Sequence, residues 1–208
     1  MIMHHPNDTT LAEFAAGTLD AGRRLVAAEH LVRCAHCRNF VAGIEHVGGV
    51  MLERIAPVDM AAGAREKALA RIGRLEIVEG TVSPRTADWT PLSDYPLGKW
   101  RWIAPGLRFQ SVQMPSGAAS RVFLLKAAPG IKLPHHAHTG TEMTCVLKGA
   151  FIHEGGRYAA GDCDDADQDV EHSPVVDTVE ECVCLVAMQG TIKLGGIVGR
   201  LMQPFLRL

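Results

Sequence analysis

No apolar run in this chain approaches the roughly 18 residues needed to span a bilayer, which argues against a membrane protein. The opening MIMHHPNDTTLAEF turns polar within a few residues and holds no apolar stretch of signal-peptide length, so the expected location is the cytoplasm. An excess of charge of one sign is missing too. A formal net charge of −2 and a pI near 6.5 supply no net field for nucleic acid or anionic lipid, and neither is expected as a direct partner. No internal repeat or low-complexity tract is visible. What is present is 208 residues, 47% of them hydrophobic, enough for one large domain or two small ones with a real core. Six cysteines in a reducing compartment read as metal ligands, reactive thiols or core residues rather than a disulfide framework.

The chain changes texture near its middle. From residue 8 to about 72 the apolar spacing is helical: Leu11, Phe14, Ala15 and Leu19 share a face, and Phe40, Val41, Ile44, Val47, Met51, Leu52 and Ile55 form a second stripe ending before Pro57. Asp8 is the expected N-cap. Residues 58–76 make a further candidate helix with a thin, alanine-rich apolar face that suits packing against something outside its own domain. Residues 77–98 come next as a linker bearing Pro84, Pro91 and Pro96. After Lys99 the chain breaks into short β segments punctuated by glycine and proline, as a barrel or jelly roll requires. The expected fold is therefore α + β in two domains, a small N-terminal helical bundle over 1–76 and a β-barrel over 99–208.

Two constellations carry chemistry. In HLVRCAHC, His30 and Cys34 are four apart and Cys37 follows at a C-x-x-C spacing, so the three can meet one ion if a helix ends or bends near Cys34. Tetrahedral zinc needs a fourth ligand, and His4, His5, His36 and His46 are the candidates. His46 lies far along the helix, His36 points away between the cysteines, and an N-terminal arm carrying His5 can fold back. A helical domain of roughly 70 residues has a thin core, to which structural zinc adds on the order of 10 kcal/mol. A pair of core cysteines, or a redox pair without its βαβ setting, would be the plainer accounts of Cys34 and Cys37.

The second constellation is GIKLPHHAHTGTEMTCVLKG, in which Gly130, His136, His138, Glu142 and Gly149 reproduce the first cupin motif, G-x5-H-x-H-x3-E-x6-G, in full. His136 and His138, two apart on a strand, face one side, and Glu142 returns past a Thr-Gly turn along the neighbouring strand. Two imidazoles and a carboxylate suit zinc, with iron, manganese or nickel as alternatives. His172, after the Gly161–Asp162 turn, is the expected fourth ligand, although the usual proline and glycine before it are absent. His135 and His153 are expected to be exposed, Cys145, Cys182 and Cys184 to be core, and the acidic run from Asp162 to Glu171 to be a solvated barrel rim that fits no EF-hand.

At His30, Cys34 and Cys37, with a histidine about 25 residues upstream, the chain resembles the zinc-binding anti-sigma domain. That resemblance implies His5, His30, Cys34 and Cys37 as zinc ligands, and helices that wrap an extracytoplasmic-function sigma factor in a 1:1 complex, covering its polymerase-binding surface. With the cupin motif added, the chain is similar over nearly its whole length to the ChrR-type anti-sigma factors. The resemblance implies a regulator rather than an enzyme, with a second divalent metal on His136, His138, Glu142 and His172, whose barrel releases the sigma factor on exposure to singlet oxygen or organic peroxide. A metal-dependent cupin enzyme of dioxygenase or isomerase type, carrying a structural zinc domain, is the rival expectation. A stand-alone ligand-binding cupin leaves the N-terminal claw unexplained.

Overall fold

The computed structural model describes residues 1–74, 90–166 and 173–194, with the side chains of 73, 74, 137, 138 and 192–194 outside that description. Contacts divide the chain into two compact units, one of residues 1–45 with 90–208 and the other of residues 46–89. No helix among the described residues is long and apolar enough to cross a membrane.

Four helices open the chain: α1 (Asp8–Ala16), α2 (Ala21–Arg33), α3 (Ala35–Glu53) and α4 (Ala64–Arg74). The N-cap of α1 is Asn7 rather than Asp8. The Asn7 side chain accepts from the Thr10 amide at 2.8 Å, which leaves Asp8 in the first turn, where a carboxylate suits the helix dipole. Asp20 caps α2 by accepting from the Gly22 and Arg23 amides at 3.0 and 3.4 Å. Its second oxygen accepts from the Ala119 and Ser120 amides at 2.8 and 3.4 Å, so one carboxylate both starts α2 and ties it to a barrel loop. Burial pushes that carboxyl upward, but the hydrogen bonds it accepts, among them those from the Ala119, Arg23 and Gly22 amides, outweigh it and hold the group below its ordinary range.

Eleven antiparallel strands make up the rest of the described residues' regular structure. A six-stranded sheet contains β1 (Arg101–Ala104), β2 (Leu107–Val112), β3 (Arg121–Ala127), β5 (Glu142–Lys148), β8 (Cys163–Ala166) and β10 (Cys182–Met188), in the order β1-β2-β3-β10-β5-β8. A second sheet orders β6 (Ala150–His153), β7 (Gly156–Ala159) and β9 (Val175–Val176) as β7-β6-β9, and β4 (His136–His138) pairs with β11 (Ile192–Leu194). The expected pairing of the histidine strand with the glutamate strand is not found: His136 faces Leu194 and His138 faces Ile192 in register, while Glu142 opens β5 in the large sheet.

The period-two alternation of β10 separates two cores. Cys182, Cys184, Val186 and Met188 join Phe123, Val146, Phe151 and Tyr158 in one cluster, whereas Leu185 and Ala187 join Val122, Leu124, Met143 and Cys145 beneath Leu25, Val26 and Ala27 of α2. Helix α2 thus lies on one face of the six-stranded sheet and shares its core. Gly22 makes the approach possible, because a Cβ there would stand 2.7 Å from Ser120 Cβ and 2.8 Å from Val122 Cγ2. The end of the expected linker is also tied down: Pro91–Asp94 forms a 3-10 turn, and the Leu92 amide donates to the buried Glu29 carboxylate at 2.6 Å. Residues 75–89, which include Pro84, lie outside the described residues.

Candidate metal centre

Helix α2 ends at Cys34, whose extended backbone (φ −100°, ψ 102°) breaks the helical path before α3 begins at Ala35. That break turns His30, one helical turn before it, and Cys37, in the first turn of α3, toward the same point. The N-terminal segment before α1 brings His5 to meet them. The four ligand atoms, one from each of His5, His30, Cys34 and Cys37, all lie within 4.8 Å of one another. Nδ1 of His5 is 3.3 Å from Cys37 Sγ, 3.4 Å from Cys34 Sγ and 3.5 Å from His30 Nε2, and His30 Nε2 is 3.2 Å from Cys37 Sγ.

One imidazole nitrogen cannot donate to three neighbours at once, so these contacts are not a hydrogen-bond network. They are four lone-pair donors converging on one point. Zinc–sulfur and zinc–nitrogen bonds of about 2.3 and 2.0 Å in a tetrahedron set the ligand atoms roughly 3.3–3.8 Å apart, close to the four separations of 3.2–3.5 Å given above. The tautomers agree. His30 Nδ1 faces the Gly161 carbonyl oxygen at 2.8 Å and must donate to it, leaving Nε2 with its lone pair toward the cluster. Burial lowers the pKa of both imidazoles, with His36 adding to the effect at His5, so both favour the neutral, ligating form. Burial pushes the Cys37 thiol up to about 12, aided by Cys34 beside it; a thiolate here needs a cation. The cluster fits zinc, and among the described residues it is the one group of three or more such side chains that can hold a metal.

The other candidates separate cleanly. His36 and His46 are exposed on α3, and His4 stacks on Tyr158 with ring centroids 3.9 Å apart. In the cupin motif, His136 Nδ1 donates to the Pro134 carbonyl at 2.7 Å, and burial lowers its pKa. Half-buried Glu142 is pushed up to about 7 by loss of solvation, with the Asp164 carboxylate adding to the rise. His138 lies on β4, but its side chain and all of His172 fall outside the described residues. Cys145, Cys182 and Cys184 are buried free thiols, in line with the core expectation.

Two expectations are corrected. His153 is not an exposed histidine: its ring stacks on Tyr158 at 4.7 Å and meets the Asp164 carboxylate at 3.3 Å, with a side chain only 8% exposed. Nor is the described part of the acidic run a solvated rim. Asp162 is 2% exposed and accepts from the Met3 and His4 amides at 2.7 and 3.1 Å. Asp165 accepts from the Asn7 side chain at 2.8 Å and the Thr10 hydroxyl at 2.7 Å, and pairs with Arg23 at 3.2 Å. Together the two carboxylates hold the N-terminal segment and the start of α1 against β8 and the turn before it. No periodicity or motif distinguishes them from solvated neighbours, because their partners lie about 160 residues earlier in the chain.

A cupin-like barrel joined to a helical region with a His2Cys2 cluster that can bind zinc defines the class of protein. The ChrR cupin-like domain family matches residues 79–191, and the chain belongs to the ChrR family. It is 36% identical over 216 residues to the anti-sigma-E factor ChrR of Cereibacter sphaeroides, covering 100% of this chain and 99% of that protein. It also matches a chain in the crystal structure of Rhodobacter sphaeroides SigE in complex with the anti-sigma ChrR, with a TM-score of 0.77 at 36% identity over 91% of this chain and 100% of that one.

Proposed function

We propose that this protein is an anti-sigma factor that sequesters an extracytoplasmic-function sigma factor in a 1:1 complex and releases it on an oxidative signal received by the barrel. The observation that carries the reading is an apolar surface that no other described residue covers. Val47, Met51 and Leu52 on α3, Ile55 just after it, and Leu69 and Ile72 on α4, are all more than half exposed, Met51 at 65%. A folded chain keeps such helical stripes for a partner. The full-length relative, ChrR, is an anti-sigma-E factor, and a sigma factor is the partner that likeness favours.

The working parts are a zinc-bearing sigma-binding segment within 1–76, a connection over 77–98 and a sensing barrel within 99–208. His5, His30, Cys34 and Cys37 would hold zinc, which would tie the N-terminal segment, α2 and α3 together. A second divalent ion belongs to His136, His138, Glu142 and His172. Its support is the donor chemistry: a neutral His136 ring with Nδ1 committed to Pro134, and a Glu142 carboxylate beside Asp164 whose charged form a cation would stabilise. The chain acts in the cytoplasm and turns over no substrate.

The test uses the full chain with the sigma factor encoded beside it. Sigma-dependent reporter output is measured with and without singlet oxygen or an organic hydroperoxide, in strains carrying wild type or Glu142→Ala. Repression that persists while induction is lost supports a sensing barrel. Unchanged induction removes the barrel metal from the signal path, and failure of the pair to co-purify overturns the assignment. The rival enzyme reading gains only if the purified protein carries iron or manganese and turns over a dioxygenase or isomerase substrate.

A further inference from the structure

We propose that the turn entering β8, Gly161–Asp162 with the first strand residue Cys163, is the positioning element of the N-terminal metal centre, so that the barrel supports a site whose ligands all come from the first 37 residues. The inference rests on the reading that His5, His30, Cys34 and Cys37 hold zinc, and goes beyond it in assigning the barrel a part in the site.

Both nitrogen ligands are set by this turn. The Gly161 carbonyl fixes the His30 ring through Nδ1 at 2.8 Å. Among the described residues the His5 side chain makes no bond to the barrel, but the backbone just before it does. Asp162 Oδ1 accepts from the Met3 and His4 amides at 2.7 and 3.1 Å, and the Cys163 amide donates to the His4 carbonyl at 3.1 Å. Asp162 Oδ2 is occupied by the Ala159 amide at 2.8 Å, so the carboxylate is locked into its own turn while it holds the arm. Beyond His5 the chain is caught again, at Asn7 and Thr10, by Asp165. His5 is thus suspended between two anchor points on β8 and the turn before it, with the neighbouring His4 ring stacked on Tyr158.

The turn has the backbone such a clamp needs. Gly161 has φ +97°, a conformation that a side chain would strain, and a Cβ there would stand 2.9 Å from Ile2 Cδ1. Its amide donates to the Val146 carbonyl at 2.8 Å while the Val146 amide donates to the Asp162 carbonyl at 3.0 Å, two residues opposing one in the manner of a glycine bulge. A bulge bends its strand and so redirects the groups beside it. Here it turns a carbonyl toward His30 and a carboxylate toward the arm. A shift of the turn by an ångström moves both nitrogen ligands together and leaves the two thiolates where α2 and α3 put them. By linkage, metal binding in turn holds the turn in place.

The test is made on the full chain. Asp162→Asn keeps the size of the side chain but replaces the acceptor oxygens' charge, and is expected to weaken zinc binding ten- to a hundredfold in competition with a chromophoric chelator. The site should refill at higher free zinc, and the cobalt(II)-loaded variant should show a changed ligand-field band, while far-ultraviolet circular dichroism is preserved. Equal zinc affinity in a folded Asp162→Asn protein overturns the inference. Wild-type protein without stoichiometric zinc overturns the underlying metal assignment instead. A measurement on the wild type alone guards against a variant that does not fold: removal of zinc by chelator is expected to raise amide hydrogen exchange in peptides covering 156–166 as well as 1–10. Exchange that changes only within residues 1–45 also overturns the inference.

Discussion

Gly22 and Cys37 show how single residues decide the molecule. At Gly22 the α2 backbone lies so close to β3 that a methyl group has no room, and neither contacting atom, Ser120 Cβ nor Val122 Cγ2, is the free end of a flexible side chain. Gly22→Ala, which would normally favour a helix, is therefore expected to destabilise the full chain by about 1–3 kcal/mol, read as a lower denaturation midpoint with an unchanged slope. At Cys37 the thiol, held up to about 12 by burial and by Cys34, is protonated at neutral pH without metal. Zinc uptake must expel that proton, so apparent zinc affinity is expected to rise about tenfold per pH unit for each proton displaced near neutrality. Calorimetry in two buffers of different ionisation enthalpy measures the release; affinity independent of pH would show that Cys37 is not a ligand.

At the scale of elements, the helices fall into two kinds. Leu25, Val26 and Ala27 of α2 are buried in one cluster with Val122, Leu124 and Met143 of the six-stranded sheet, each large side chain contributing on the order of 1.5–3 kcal/mol of burial. The second half of α3 and α4 carry their apolar residues into solvent, so these side chains add little to the stability of the free protein. Met51→Asp with Ile55→Asp is accordingly expected to leave the denaturation midpoint within about 0.5 kcal/mol of wild type. The same pair is expected to weaken sigma-factor binding about thirtyfold or more, since two buried anchors worth over 1 kcal/mol each sum to over 2 kcal/mol. Size-exclusion chromatography of the mixed proteins separates the outcomes. A variant that still co-elutes with the sigma factor would place the interface elsewhere.

For the whole molecule, the consequence is shared structure. The sequence divides naturally at the proline-bearing stretch into helices and barrel, yet residues 1–45 form one compact unit with residues 90–208. Cutting the chain there would expose Leu25 and Val26 on one side and Val122, Leu124 and Met143 on the other. A fragment ending near residue 89 is expected to unfold at a lower denaturant concentration than the same helices in the full chain. Adding the barrel fragment in trans should recover part of the difference, as followed by helical circular dichroism. Identical midpoints would show that α2 gains nothing from the sheet.

Much of this was legible in the sequence because it is local. A histidine four residues before one cysteine and seven before another requires a helix break at Cys34, and the break is there. The cupin motif announced strands and turns at fixed spacing. The choice of His5 over His4 was of another kind: neighbours in sequence, they differ only in that the barrel offers Tyr158 to one ring and leaves the other to the cysteines. The roles of Asp162, Asp165 and Gly22 were likewise invisible, since a carboxylate facing water and one holding a backbone arm obey the same local rules. Spacing along the chain determined which residues can meet an ion. Tertiary packing alone decided what holds them there, because those hydrogen bonds join segments more than a hundred residues apart, a distance over which no sequence period survives.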